Sequence, residues 1–106
     1  MELGVVELTS KDFDEFTKQG LVFVDFFADW CMPCVMMTPI VEELSGSFSG
    51  KIKFGKVNVN DNEALARKFN VSSIPNFVLL KEGKIIDQFV GAQDFEDLEE
   101  KLKAAL

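Results

Sequence analysis

The chain's two cysteines, Cys31 and Cys34, stand three positions apart in the run Trp30-Cys31-Met32-Pro33-Cys34, which also holds its one tryptophan. On a helical turn this spacing puts the two Cβ atoms roughly 5–6 Å apart, so a small adjustment brings the sulfurs within bonding range. A bond between them closes a loop of four residues and stabilises a fold by only about 2 kcal/mol. A structural staple would close a longer loop, so the pair is better explained by thiol chemistry. Cys31 is expected at a helix start directly after a strand, where the positive helix end and the second thiol both favour its thiolate. The thiolate is the form that attacks a disulfide, and Cys34, one turn deeper, is placed to attack the mixed disulfide that results. Metal binding is the competing chemistry. Two cysteines fill half of a tetrahedral site, so only a dimer pooling both pairs around zinc or an iron–sulfur cluster would complete one.

Asp25 is the single charge in the apolar run Leu21–Ala28 and precedes Cys31 by six positions. A carboxylate there is desolvated, which raises its pKa and makes it a candidate proton acceptor for Cys34. Lys56 falls in phase with Ile52 and Phe54 on a later strand and is its candidate counter-charge. Trp30, at a loop–helix junction, reads as a surface platform beside the cysteines. Ile74-Pro75 enters a strand after a polar turn, and background frequencies alone leave that peptide bond trans.

These residues need a frame. Val5, Val6 and Leu8 suggest a first strand, followed by Thr9 or Ser10 as helix cap and a helix carrying Phe13 and Phe16, which Gly20 stops. Leu21–Ala28 reads as a strand covered on both faces. A helix from near Cys31 follows, with Pro33 in its first turn and Met36, Met37, Ile40, Val41 and Leu44 as its buried stripe. Pro39 should kink it, and Ser45 to Gly50 reads as a loop. Lys51 to Asn60 alternates as a strand whose phase changes at Gly55-Lys56. Asn60 with Glu63 resembles a capping box for a helix burying Leu65, Ala66 and Phe69, and Asn70 suits a left-handed cap. Phe77 to Leu80 and Ile85 to Val90, split by Lys81-Glu82-Gly83-Lys84, read as a hairpin ended by Gly91. A last helix places Phe95, Leu98, Leu102 and Leu106 on one face. The order β-α-β-α-β-α-β-β-α implies an α/β fold, a mixed sheet with helices on both faces.

At 106 residues the chain is expected to be a single domain, residues 1–106. A net charge of −7 disfavours nucleic acid and anionic membrane surfaces. The absence of histidine removes Cys-His proteases and His-ligated metal sites. Met1 to Gly20 lacks the basic-then-apolar order of a signal peptide, and no apolar run is long enough to span a bilayer. A close cysteine pair in such a chain fits a reducing cytoplasm.

Val24-Asp25-Phe26-Phe27-Ala28-Asp29-Trp30-Cys31-Met32-Pro33-Cys34 resembles the active-site segment of the thioredoxin family. Pro39, Lys56-Val57-Asn58-Val59, Ile74-Pro75, Glu82-Gly83 and Val90-Gly91-Ala92 fall at matching spacings, so the resemblance covers essentially the whole chain. It implies a five-stranded mixed sheet of order 1-3-2-4-5 flanked by four helices, and a cis Pro75 facing the cysteines. It also implies an exposed nucleophile at Cys31, a buried resolving thiol at Cys34, and Asp25 as acid–base group with Lys56 near it. Trp30, Met32, Pro33, Ile74, Pro75, Gly91 and Ala92 would contact substrate. The activity implied is protein-disulfide reduction in a cytoplasmic monomer without a bound cofactor. Its partners would be disulfide-containing client proteins and a thioredoxin-reductase-type electron donor. An oxidase or isomerase of the same fold and a non-catalytic binding module are the alternatives. This sequence departs from the family pattern at Met32 (usually Gly), Val35 (often basic), Asn76 (usually Thr) and Phe27 (often Trp).

Overall fold

The central strand is β2 (Leu21–Phe27), buried along almost its whole length. In the computed structural model, which describes residues 4–106, it pairs in parallel with β3 (Ile52–Asn58) and antiparallel with β4 (Asn76–Lys81). Residues 1–3, the start of the acidic N-terminal stretch, lie outside the described residues. With β1 (Val5–Leu8) and β5 (Lys84–Val90) at the edges, the sheet order is β1-β3-β2-β4-β5, as the resemblance implies. Between the strands run α1 (Phe13–Thr17), α2 (Met32–Ser47) and α3 (Glu63–Lys68), and α4 (Phe95–Ala104) follows the last.

Alternation along the strands divides the core in two. Phe23, Phe54, Phe77 and Leu79 pack against Met37, Val41 and Leu44 of α2 and Leu98 and Leu102 of α4. Val22, Val24, Phe26 and Val57 face the other way, against Phe13 of α1, Leu65 of α3 and Phe69 beyond it. This is the two-sided burial that the continuous apolar run in β2 and the phase change in β3 require. Asp25, two residues from Phe23, therefore lies on the α2 side of the sheet.

Several boundaries differ from the sequence reading. α1 starts after Asp12, not Thr9 or Ser10. The Asp12 carboxylate turns back to accept from the Thr9 N–H at 2.7 Å, while the Ser10 N–H donates to Asn62. α3 starts after Asn62 rather than Asn60, because the Asn60 N–H is taken by the Asn58 side chain. α2 continues to Ser47, beyond the expected loop start at Ser45. The Ser45 hydroxyl donates to the Glu42 carbonyl, and the Phe48 N–H to that of Leu44, with Phe48 seated in the core. The helix also runs on through Pro39, which has no N–H for the Val35 carbonyl. Met36 is 68% exposed, not part of the buried stripe, and Leu106 is likewise exposed. Asn70 takes the left-handed conformation expected of it, and the hairpin closes tightly on Glu82-Gly83, both at positive φ as a type I′ turn requires.

Candidate active site

The parallel strands β1, β2 and β3 direct their C-terminal ends to one side of the sheet, and the cysteines follow the end of β2. Ala28 accepts from the Cys31 N–H, and Cys31, in an extended conformation, becomes the N-cap of α2. Its sulfur accepts from the Cys34 N–H at 3.2 Å, the place an oxygen of Ser or Asp takes in an ordinary cap. One of the helix's unpaired N–H donors therefore points at Cys31 Sγ, and it would stabilise negative charge there once the thiol is reduced. Pro33 fits the first turn because no donor is needed from it.

Cys31 and Cys34 are joined as a disulfide with Cα atoms 5.2 Å apart. Contrary to the expected exposed nucleophile, Cys31 is 4% accessible, about as little as Cys34 at 3%. The reason is packing: the bonded pair is drawn into a small cluster with Ala28, and Phe27, Val59 and Ile74 close around it. Ile74 also places its carbonyl oxygen 3.9 Å from Cys31 Sγ.

The bond between Ile74 and Pro75 is cis, as the resemblance rather than background frequency implied. The Pro75 carbonyl accepts from the Gly91 N–H at 2.8 Å, which joins the end of β5 to this loop. Trp30 and Met32 are 67% and 66% exposed, the platform expected of Trp30. Val35, singled out in the sequence only as a departure from the family pattern, and Met36, expected in the buried stripe, extend the same apolar surface. Their signal was available: Met32, Val35 and Met36 lie at i, i+3 and i+4, a helix face distinct from that of Cys34, Met37, Val41 and Leu44. Ala92 is exposed and lines a groove with Met36, Ile40 and Phe95.

Asp25 is buried beneath α2, and its Oδ1 has no hydrogen-bond partner among the described residues. Burial pushes its pKa up from 3.8 to about 7, against the opposing pull of the Lys56 charge. The two residues are register partners across β2 and β3. Even so, the Lys56 ammonium lies over the Phe27 ring, 5.6 Å from its centroid, and the ion pairs found among the described residues do not include it. Lys56 therefore acts on Asp25 through space, not by contact. A cavity of about 40 Å³ opens beside Asp25, and Thr38, Glu42 and Lys56 are among its walls. That is room for about one or two waters. The Thr38 hydroxyl donates to the Cys34 carbonyl at 3.4 Å, so the cavity adjoins the turn that carries Cys34. Thr38 was missed in the sequence, although its position four residues after Cys34 puts both on one helix face. A dithiol at a positive helix end, a carboxyl that titrates near neutrality and an apolar rim together suit thiol–disulfide exchange.

Known proteins agree with this geometry. The thioredoxin family model matches residues 4–104. A thioredoxin of Staphylococcus haemolyticus is 42% identical over 100 residues, 94% of this chain and 96% of that protein. One from Chlamydia caviae is 44% identical over 91 residues, 86% of this chain and 88% of its own length. Among solved structures, a mutant thioredoxin from Halobacterium salinarum superposes with a TM-score of 0.88 at 30% identity, covering 97% of this chain and 91% of that one. The chain belongs to the thioredoxin family and is a protein-disulfide oxidoreductase with Cys31 and Cys34 as its redox pair.

Proposed function

We propose that the chain works in the reducing direction, as one domain and a monomer in the cytoplasm, taking electrons from a thioredoxin-reductase-type donor and passing them to disulfide-bearing client proteins. The observation that carries the attack by Cys31 is the Cys34 N–H directed at its Sγ, which favours the thiolate, while the reducing direction rests on the likeness to thioredoxins. In the reduced protein, that thiolate attacks one client sulfur. A Cys31–client disulfide forms, and the other client sulfur leaves as a thiolate and takes a proton. The Cys34 thiol then loses its proton to Asp25 and attacks Cys31 Sγ. The second client sulfur leaves, and the Cys31–Cys34 disulfide remains. Two electrons have passed to the client, and two from the donor restore the dithiol. A carboxyl with a pKa of about 7 suits this proton transfer, because both its forms are populated at neutral pH. Lys56 tunes that pKa.

Clients dock on the apolar rim of Trp30, Met32, Pro33 and Ile74, with Pro75, Gly91 and Ala92 completing the surface that receives an extended segment. The exposure of Trp30 and Met32 beside the disulfide supports this. Purified protein with dithiothreitol should accelerate reduction of insulin disulfides, and Cys31→Ser should abolish the effect. Absence of acceleration by the wild-type protein, or activity retained in Cys31→Ser, overturns the reading. The reduction potential of the pair fixes the direction: a value near that of strong disulfide oxidants would turn it round.

A further inference from the structure

The loop from Val71 to Pro75 has no regular structure of its own, and Ser72 and Ser73 on it are exposed. Yet it must hold the Ile74 carbonyl beside Cys31 Sγ. Two side chains that the proposed mechanism leaves unused provide the restraint. Gln88, on the edge strand β5, uses its Nε2 twice: it donates to the Phe69 carbonyl at the end of α3 and to Asn76 Oδ1, each at 3.0 Å. Asn76, 2% exposed and directly after Pro75, donates through Nδ2 to the Ser73 carbonyl at 3.3 Å. Both end contacts are backbone carbonyls, which only accept. Both amide nitrogens must therefore face them, and Asn76 Oδ1 is left as the acceptor for Gln88. The clamp thus grips the start of the loop through Phe69 and its middle through Ser73, while the Gly91 N–H holds its end at Pro75.

We propose that the Asn76–Gln88 carboxamide pair is a positioning device that fixes the Ile74–Pro75 backbone against Cys31 and so sets how tightly an extended client segment docks. The proposal rests on the reductase reading above. Gln88 does not touch the client; it acts by holding the loop in its docking-competent position, so a chain with a free loop binds more weakly by the fraction of time the loop is misplaced.

The test compares a substrate that needs the loop with one that does not. Insulin offers a peptide backbone beside its disulfide, whereas bis(nitrobenzoate) disulfide offers none. Gln88→Leu and Gln88→Glu both remove the donor, the second with length and shape retained, and Gln88→Lys restores a donor. KM for insulin should rise at least about fivefold in Gln88→Leu and Gln88→Glu, the ratio equivalent to the net contribution of one of the two hydrogen bonds lost. In both variants kcat and the rate with the small disulfide should stay within about twofold, and Gln88→Lys should recover most of the KM. An unchanged insulin KM, an equal loss on both substrates, or Gln88→Lys no better than Gln88→Glu overturns the clamp. Wild-type protein that reduces neither substrate overturns instead the functional reading beneath it.

Discussion

Replacing Asp25 by Asn should stabilise the oxidised protein, and the gain should depend on pH in a way that this carboxyl alone dictates. Burial raises the Asp25 pKa from 3.8 to about 7 in the folded chain. Between those two values the folded state holds one more proton than the unfolded state, so stability falls as pH rises through the window. Below pH 3.8 both states are protonated and the residue contributes nothing. Above about pH 7 both are ionised and the full cost is present. A shift of about 3 pKa units at about 1.4 kcal/mol per unit makes that cost about 4 kcal/mol. Asparagine matches the neutral carboxyl in shape and never ionises, so it behaves like protonated Asp25 at every pH. Urea denaturation of the two oxidised proteins from pH 4 to pH 9 should show a small difference at the acid end. The variant should then gain on the wild type until it is about 4 kcal/mol more stable near pH 8, with a plateau beyond. A difference independent of pH, or one that narrows as pH rises, refutes the buried-carboxyl argument.

Three other substitutions probe the site and its support. Cys34→Ser should accumulate mixed disulfides through Cys31, visible as adducts on non-reducing gels that dithiothreitol removes; equal accumulation by Cys31→Ser would reverse the assignment of the two thiols. Lys56→Met removes the cation that lowers the Asp25 pKa, so the acid-side inflection of the resolution rate should move upward from about pH 7; a downward move would contradict it. Gly55→Ala should destabilise the fold by about 1–3 kcal/mol in urea, because a Cβ there would stand 2.6 Å from Cδ1 of Leu8, itself 1% exposed; an unchanged midpoint would show that Leu8 can yield.

Much of the frame could be read in the residues because local chemistry alone decides it. The continuous apolar run of β2, the phase change at Gly55-Lys56, Asn70 in the left-handed region and the Glu82-Gly83 turn each reflect a backbone or patterning constraint contained within a few neighbours. Errors gathered where a second element intervenes. Met36 has the composition of a core residue, yet it is 68% exposed, on the rim of a groove shared with Ala92 and Phe95. Thr9, Ser10 and Asn60 all have capping chemistry. Their groups were claimed instead by Asp12, Asn62 and Asn58, and the Ser10–Asn62 contact crosses 52 positions of sequence.

The same division runs through the active site. Sequence by itself determined which thiols pair and that a carboxyl lies in the strand before them, since spacing on one helical turn and one charge in an apolar strand are local facts. The proline loop, by contrast, was placed at the site by the family resemblance. Only the tertiary structure decided that Cys31 is nearly buried when oxidised, because Ile74 arrives from 43 positions away to cover it. It alone decided that Lys56 sits over Phe27 and leaves Asp25 Oδ1 without a partner among the described residues, and that Gln88 reaches Phe69 and Asn76. The physical reason is common to all three. Burial, electrostatic coupling and hydrogen-bond partnership are properties of distances between chain segments, and those distances are set by the sheet order and register, not by residue type.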